Sequence, residues 1–124
     1  MNAVAGKEAR FDALFSAIDS KNTEAFLSFL TEDARFRFGS APEVRGRAAI
    51  RDAVNGFFST IAGSKHQLDQ VIVDGTTLVC EGSVNYQRLD DHELTVPFVD
   101  VLEYAGDQIS AYKIYIDISP LYAD

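Results

Sequence analysis

The sequence predicts an α+β domain: a curved, mostly antiparallel sheet with three N-terminal helices packed on one face. Two observations carry this. Before residue 62, apolar residues recur with a helical period in three segments, interrupted by one short alternating run at Arg35-Phe36-Arg37-Phe38. From Lys65 onward the period drops to two, in long runs separated by brief turn-forming clusters.

Each element follows in order. Phe11, Leu14, Phe15 and Ile18 share one helical face and predict a helix from Val4 to Asp19. Asn22 offers a side-chain oxygen to exposed amides and starts a second helix, with Ala25, Phe26, Phe29 and Leu30 as its buried stripe. The Arg35–Phe38 run is a strand with Phe on one face and Arg on the other. Gly39 to Gly46 contains Pro42 and reads as a loop. Arg47 to Ala62 is a third helix, turning Ile50, Ala53, Val54, Phe57, Phe58 and Ile61 inward. Strands follow over 65–73, 76–89, 93–104 and 108–118. The clusters Asp74-Gly75, Asp90-Asp91-His92 and Ala105-Gly106-Asp107 divide them and make neighbours antiparallel.

Alternation sorts the strand residues into faces. Val96, Phe98, Asp100, Leu102 and Tyr104 share one face; Tyr112, Ile114, Ile116 and Ile118 share another. Asp100 is the single charge among them. His66 falls with Leu68 and Ile72. Val71, Val73, Val99, Val101 and Tyr115 fall on the opposite faces, so the sheet is apolar on both sides. The helices cover one side, and a second copy of the chain is expected to cover the other, giving a homodimer through the outer sheet face.

The 124 residues are expected to form one domain spanning 1–124. Hydrophobic residues at 47% and charged residues at 24% suit a globular protein with a core. A net charge of −8 argues against nucleic acid and anionic membranes as partners. Cys80 is the one cysteine, so no intrachain disulfide forms, and a reducing compartment is expected. No apolar run approaches the ~20 residues of a membrane span, and Met1 to Asp12 lacks a signal-peptide core. A cytoplasmic location is the expectation. Two histidines and one cysteine make no recognisable metal pattern, and no cofactor motif is present.

The helix pair within Phe11–Asp33, the Val44-Arg45-Gly46-Arg47-Ala48-Ala49-Ile50-Arg51 helix start, the Val96-Pro97-Phe98-Val99-Asp100 strand and the Ile114-Tyr115-Ile116-Asp117-Ile118-Ser119-Pro120-Leu121 end resemble the nuclear transport factor 2-like superfamily. Within it the chain resembles SnoaL-like polyketide cyclases, ketosteroid isomerases and limonene epoxide hydrolases. The resemblance covers nearly the whole chain. It implies a cone-shaped sheet with the helices on its concave face and a deep pocket. The implied activity is cofactor-free acid/base chemistry (isomerisation, cyclisation or dehydration) on a small hydrophobic carbonyl compound such as a polyketide, steroid or terpenoid. The same fold also serves as a non-catalytic binding or association module.

The resemblance transfers catalytic positions only in part. Phe38 stands where the isomerases carry a general-base Asp, and Leu14 or Phe15 where they carry an oxyanion Tyr. Asp100 matches their third carboxylate and the acid/base Asp region of the cyclases. Arg88-Leu89-Asp90 has an epoxide hydrolase spacing but lies near a turn, and Ile114 fills that activity's last-strand position, so the activity is set aside.

Asp100 is therefore the leading candidate, as an acid/base group or hydrogen-bond donor; the alternative is a structural carboxylate bonded to a neighbour or paired with Lys113. Burial in an apolar cavity is expected to raise its pKa, and the resemblance implies the same, since ketosteroid isomerases keep a protonated Asp in an apolar site. Tyr112 and Tyr86 are candidate hydroxyl donors, and His66 a candidate second acid/base group; for each, a core role is the alternative. Phe15, Phe38, Phe57, Phe58, Phe98, Leu102, Ile114 and Ile116 are the expected apolar wall. Arg35, Arg37, Arg45, Arg47 and Arg51 are read as a solvated face pairing with Glu32, Asp33, Glu43 and Asp52; the alternative is a site for an anionic group such as a carboxylate or phosphate.

Overall fold

The computed structural model describes the backbone of residues 3–123, and side chains from Phe11 onward. Helix α1 (Ala3–Asp19) is followed by a short α2 (Thr23–Leu27), strand β1 (Leu30–Phe38), a two-residue β2 (Val44–Arg45), and α3 (Arg47–Phe58). Four long strands complete the sheet: β3 (Ile61–Asp74), β4 (Thr77–Arg88), β5 (Glu93–Ala105) and β6 (Gln108–Ile116). A single-turn 3-10 helix (Ser119–Tyr122) closes the described chain.

Local chemistry explains the boundaries. The Asn22 side chain accepts a hydrogen bond from the Ala25 amide at 3.1 Å and caps α2. That helix ends at Leu27, earlier than its apolar stripe suggested, and Leu30 opens β1 instead. Ile61 likewise belongs to β3 rather than to α3. The buried stripe of α3 is Ile50, Val54 and Phe58, spaced one helical turn apart. Gly75 and Gly106 take left-handed backbone in the tight β3–β4 and β5–β6 turns, where a side chain would be strained.

The sheet order is β2-β1-β6-β5-β4-β3. All neighbours are antiparallel except β1 and β6, which run parallel. The sheet is curled and unclosed, and the helices cover its concave side. The parallel pairing sets Phe36 against Tyr112 and Phe38 against Ile114, so the first strand's aromatics join the wall built by the last. The core gathers Phe11, Leu14, Phe26, Leu30, Ile50, Leu78, Val84 and Leu102 between helices and sheet.

One irregularity reverses a face. The β3–β4 register slips between Leu68 and Gln70, leaving Asp69 as an extra residue. His66 and Leu68 oppose Val84 and Gly82, on the inner face. Beyond the bulge Val71 and Val73 oppose the buried Cys80 and Leu78, and pack against the core. The uniform alternation that placed Val71 and Val73 outside, and Ile72 with His66, is corrected here: Ile72 faces out and is 49% exposed. Gly82 sits opposite the bulge, and a Cβ there would lie 1.9 Å from the Gln67 carbonyl oxygen. Only a glycine lets the bulged strand approach so closely.

Of the arginine-rich segment Arg35, Arg37 and Arg45 are exposed and Arg51 is half-exposed, but Arg47 is not part of a solvated face: it is half-buried and its Nε is buried without a partner among the described residues. Arg51 forms a two-pronged pair with Glu24 at 2.7 and 3.0 Å, and Arg35 approaches Glu43 at 4.0 Å. The Glu24 partner was not among the expected acids. Arg47 reaches inward to the Leu30 carbonyl oxygen at 2.5 Å.

Candidate active site

Between the concave sheet face and the helices lies a cavity of about 360 Å³. Its wall is mostly apolar. Phe38, Phe57, Phe58, Phe98, Ile114 and Ile116 line it, and so do Asp100, Tyr112, Tyr86 and His66. The fold thus brings all four polar candidates to one space. Two expected wall residues do not line it. Phe15 is buried behind the wall, its ring 4.9 Å from His66 and 6.1 Å from Phe98, and it supports both side chains. Leu102 is fully buried, opposite Leu78 and Tyr112, one inner-face step past Asp100 and into the packed core.

Asp100 is the buried pole of the cavity. The strand pairing places it between Cys80 and Ile114, and it is 2% exposed. Tyr112 donates its hydroxyl to Asp100 Oδ2 at 3.1 Å. The other oxygen, Oδ1, is buried with no partner among the described residues. Lys113 lies opposite Val101, so it shares the outer-facing position and offers Asp100 no counter-charge. Burial pushes the Asp100 carboxyl up to about 8, against the smaller opposing effect of the Tyr112 hydrogen bond. Burial and the nearby Asp100 push the Tyr112 phenol well above its ordinary range. At neutral pH both groups therefore keep their protons. Oδ2 accepts from Tyr112, so the carboxyl proton falls to Oδ1. The Cys80 thiol, raised by burial and by Asp100, is held as an unreactive buried group.

Tyr112 is itself held by rings. Phe26 and Phe36 lie 5.6 and 5.9 Å from it, between centroids. Phe57 stacks edge-on against Tyr86 at 5.7 Å and tilts against Phe38 at 4.7 Å. Burial raises the Tyr86 phenol too, with Asp100 adding to the shift.

The partners of His66, the second polar corner, were not legible in the sequence. His66 Nδ1 lies 2.6 Å from Asp19 Oδ1 at the end of α1, and the His66 backbone N–H donates to Asp19 Oδ2 at 2.9 Å. Ser64 adds a hydroxyl donor to Oδ1 at 2.9 Å. Asp19 and Ser64 carried no signal: 47 residues separate Asp19 from His66. Phe26, Phe36, Ile18 and Tyr122 also line the cavity without having been singled out, although Phe36 shares the alternation of Phe38. His92 pairs with Asp90 in the β4–β5 turn, and Arg88 pairs with Asp90 at 3.0 Å; none of the three lines the cavity. Among the described residues no cluster of His, Cys, Asp and Glu could hold a metal ion, and no helix is long and apolar enough to cross a membrane.

A curled, unclosed six-stranded sheet with three helices is the fold of solved nuclear transport factor 2-like proteins. The SnoaL-like domain family matches residues 11–112, and the chain belongs to it. Solved structures share the fold at low identity. TerC, co-crystallised with polyporic acid, is 16% identical with a TM-score of 0.78, over 90% of this chain and 92% of its own. A putative SnoaL-like polyketide cyclase from Jannaschia sp. CCS1 is 16% identical with a TM-score of 0.76, over 88% of this chain and 83% of its own. An epoxide hydrolase-like protein from M. tuberculosis is 13% identical with a TM-score of 0.74, over 90% and 83%. No curated protein matches the sequence.

Proposed function

We propose that this protein is a cofactor-independent acid/base enzyme acting on a small hydrophobic carbonyl compound of polyketide, steroid or terpenoid type. One observation carries the reading: Asp100 lines an apolar cavity, and its carboxyl has a buried Oδ1 with no partner among the described residues. Leaving a buried polar atom unpaired costs about 1–3 kcal/mol, and a ligand carbonyl accepting its proton removes that cost. In an apolar site such a hydrogen bond strengthens as charge develops on the carbonyl oxygen, which is the condition for lowering an enolisation barrier. Tyr112 holds the carboxyl in place, and Tyr86 orients the bound compound. The chemistry is isomerisation, cyclisation or dehydration, each of which moves a proton next to a polarised carbonyl. Binding without turnover is the second reading; Phe38 at the end of β1, where isomerases of this fold carry their base, favours it.

Hydrogen–deuterium exchange at the α-carbon of 1-tetralone, followed by NMR in D2O, tests the proposal. The expected result is exchange well above the buffer rate, falling about 100-fold in Asp100→Asn, whose amide donates a hydrogen bond but delivers no proton. Tetralone binding with no accelerated exchange would sink the enzyme reading and leave a binding module.

A further inference from the structure

We infer that His66 is the general base of this cavity and that Asp19 is its positioning residue. The inference rests on the acid/base reading of the same site and adds the proton acceptor which that reading lacks.

Asp19 Oδ1 accepts from Ser64 at 2.9 Å and faces His66 Nδ1 at 2.6 Å, while Oδ2 accepts the His66 backbone N–H at 2.9 Å. Burial pushes the Asp19 carboxyl up, but the hydrogen bonds from His66 and Ser64 and the charge of His66 outweigh it and hold it below its usual range. Asp19 is therefore an acceptor at both oxygens. The proton between it and the imidazole belongs to Nδ1, by assignment from these partners. That tautomer leaves the Nε2 lone pair as the reactive atom of the ring. The ring is locked in place as well as in tautomer. Phe15 tilts against it at 4.9 Å and Phe98 meets it edge-on at 5.3 Å. A carboxylate on one imidazole nitrogen, a fixed ring plane and an open second nitrogen are the arrangement that general-base histidines need.

His66 is on β3 and Asp100 on β5, two strands across, and both line one cavity. Phe98 stands between them: it touches the His66 ring and shares the inner face of β5 with Asp100, two residues on. Through Val84, His66 lies level with Val96, so Asp100 is two strands away and four residues further along β5, about 10 Å across the strands and about 13 Å along them. Both side chains point inward from the concave face, and an elongated, conjugated compound lying over Phe98 would be needed to reach from one to the other.

The probe is 5-nitrobenzisoxazole, whose nitro group and acidic C–H lie at opposite edges. His66 Nε2 takes the C3 proton, the C–H pair becomes the third bond of the nitrile, and the N–O bond breaks with its pair going to the phenolate oxygen. The coloured nitrophenolate product is read by absorbance. His66→Gln is expected to lower kcat at least about 100-fold. Asp19→Asn is expected to lower kcat about 10-fold with KM unchanged, and to shift the His66 tautomer in nitrogen NMR, which a merely structural role does not do. Wild-type turnover no faster than free imidazole overturns the inference, as does a His66→Gln variant that keeps wild-type kcat. Loss in Asp100→Asn with His66→Gln unaffected also overturns it, and leaves the acid/base reading standing, because Asp100 is then the base. The tetralone exchange decides that reading separately.

Discussion

Asp100 and Asp19 are the same residue type at two poles of one site, and the structure treats them oppositely. Asp100 is 2% exposed and has one donor, Tyr112, for two oxygens. Asp19 has a side chain 24% exposed and three donors. Burial therefore wins at Asp100, whose carboxyl rises to about 8, and donors win at Asp19, whose carboxyl falls. The contrast shows how a sheet with few charges inside can hold one carboxyl protonated and another as an anion beside a histidine. The number of donors within reach, rather than the residue type, selects the protonation state.

The pH dependence of stability offers the sharpest break in that comparison. With a folded pKa of about 8, Asp100 contributes stability that is complete below its unfolded pKa of ~3.9 and is lost as pH rises toward 8. Urea unfolding of the wild type should lose on the order of 5 kcal/mol relative to Asp100→Asn between pH 4 and pH 8. A constant difference would mean that the carboxyl is not held protonated.

Asp19→Asn should show the opposite sign and a smaller size. Its depressed pKa gives stability that is present above ~3.9 and lost as pH falls through the folded value. The variant should be about 2 kcal/mol less stable at pH 6, with the gap closing under acid, as measured by urea unfolding at both pH values. Equal loss at both would make the site a packing feature only.

Tyr112→Phe sharpens the donor count at Asp100. Removing its one donor leaves Oδ2 unpaired as well, and should cost about 1 kcal/mol. The same change should move the Asp100 titration, followed by carboxyl-carbon NMR, upward from about 8, because the lost hydrogen bond was the one cause lowering it. A downward move would show that water enters and solvates the carboxyl instead.

Much of this was readable from residue order. Alternation alone put Asp100, Phe98 and Leu102 on one face of β5, and Tyr112 on the matching face of β6. It failed in β3, where the bulge at Asp69 turned Val71 and Val73 inward. A trace of that event was present: Gly82 interrupts an otherwise apolar, alternating strand, and a glycine inside a strand marks a bulge or a close backbone approach. Leu102 and Phe15 were assigned to the wall because face assignment does not tell depth. One inner-face step along β5 separates a cavity carboxyl from a residue sealed in the core.

By itself the sequence determined the local elements, their faces and the single charge placed among apolar neighbours, because backbone periodicity is a short-range property of side-chain order. Tertiary structure decided the parallel seating of β1 beside β6, which brings Phe36 and Phe38 to Tyr112 and Ile114. It also decided the contact between the end of α1 and β3 that joins Asp19 to His66 across 47 residues. Both are choices among many possible long-range pairings. They are selected by which packing buries the most apolar surface while leaving the fewest polar groups unpaired, a quantity that belongs to the whole chain.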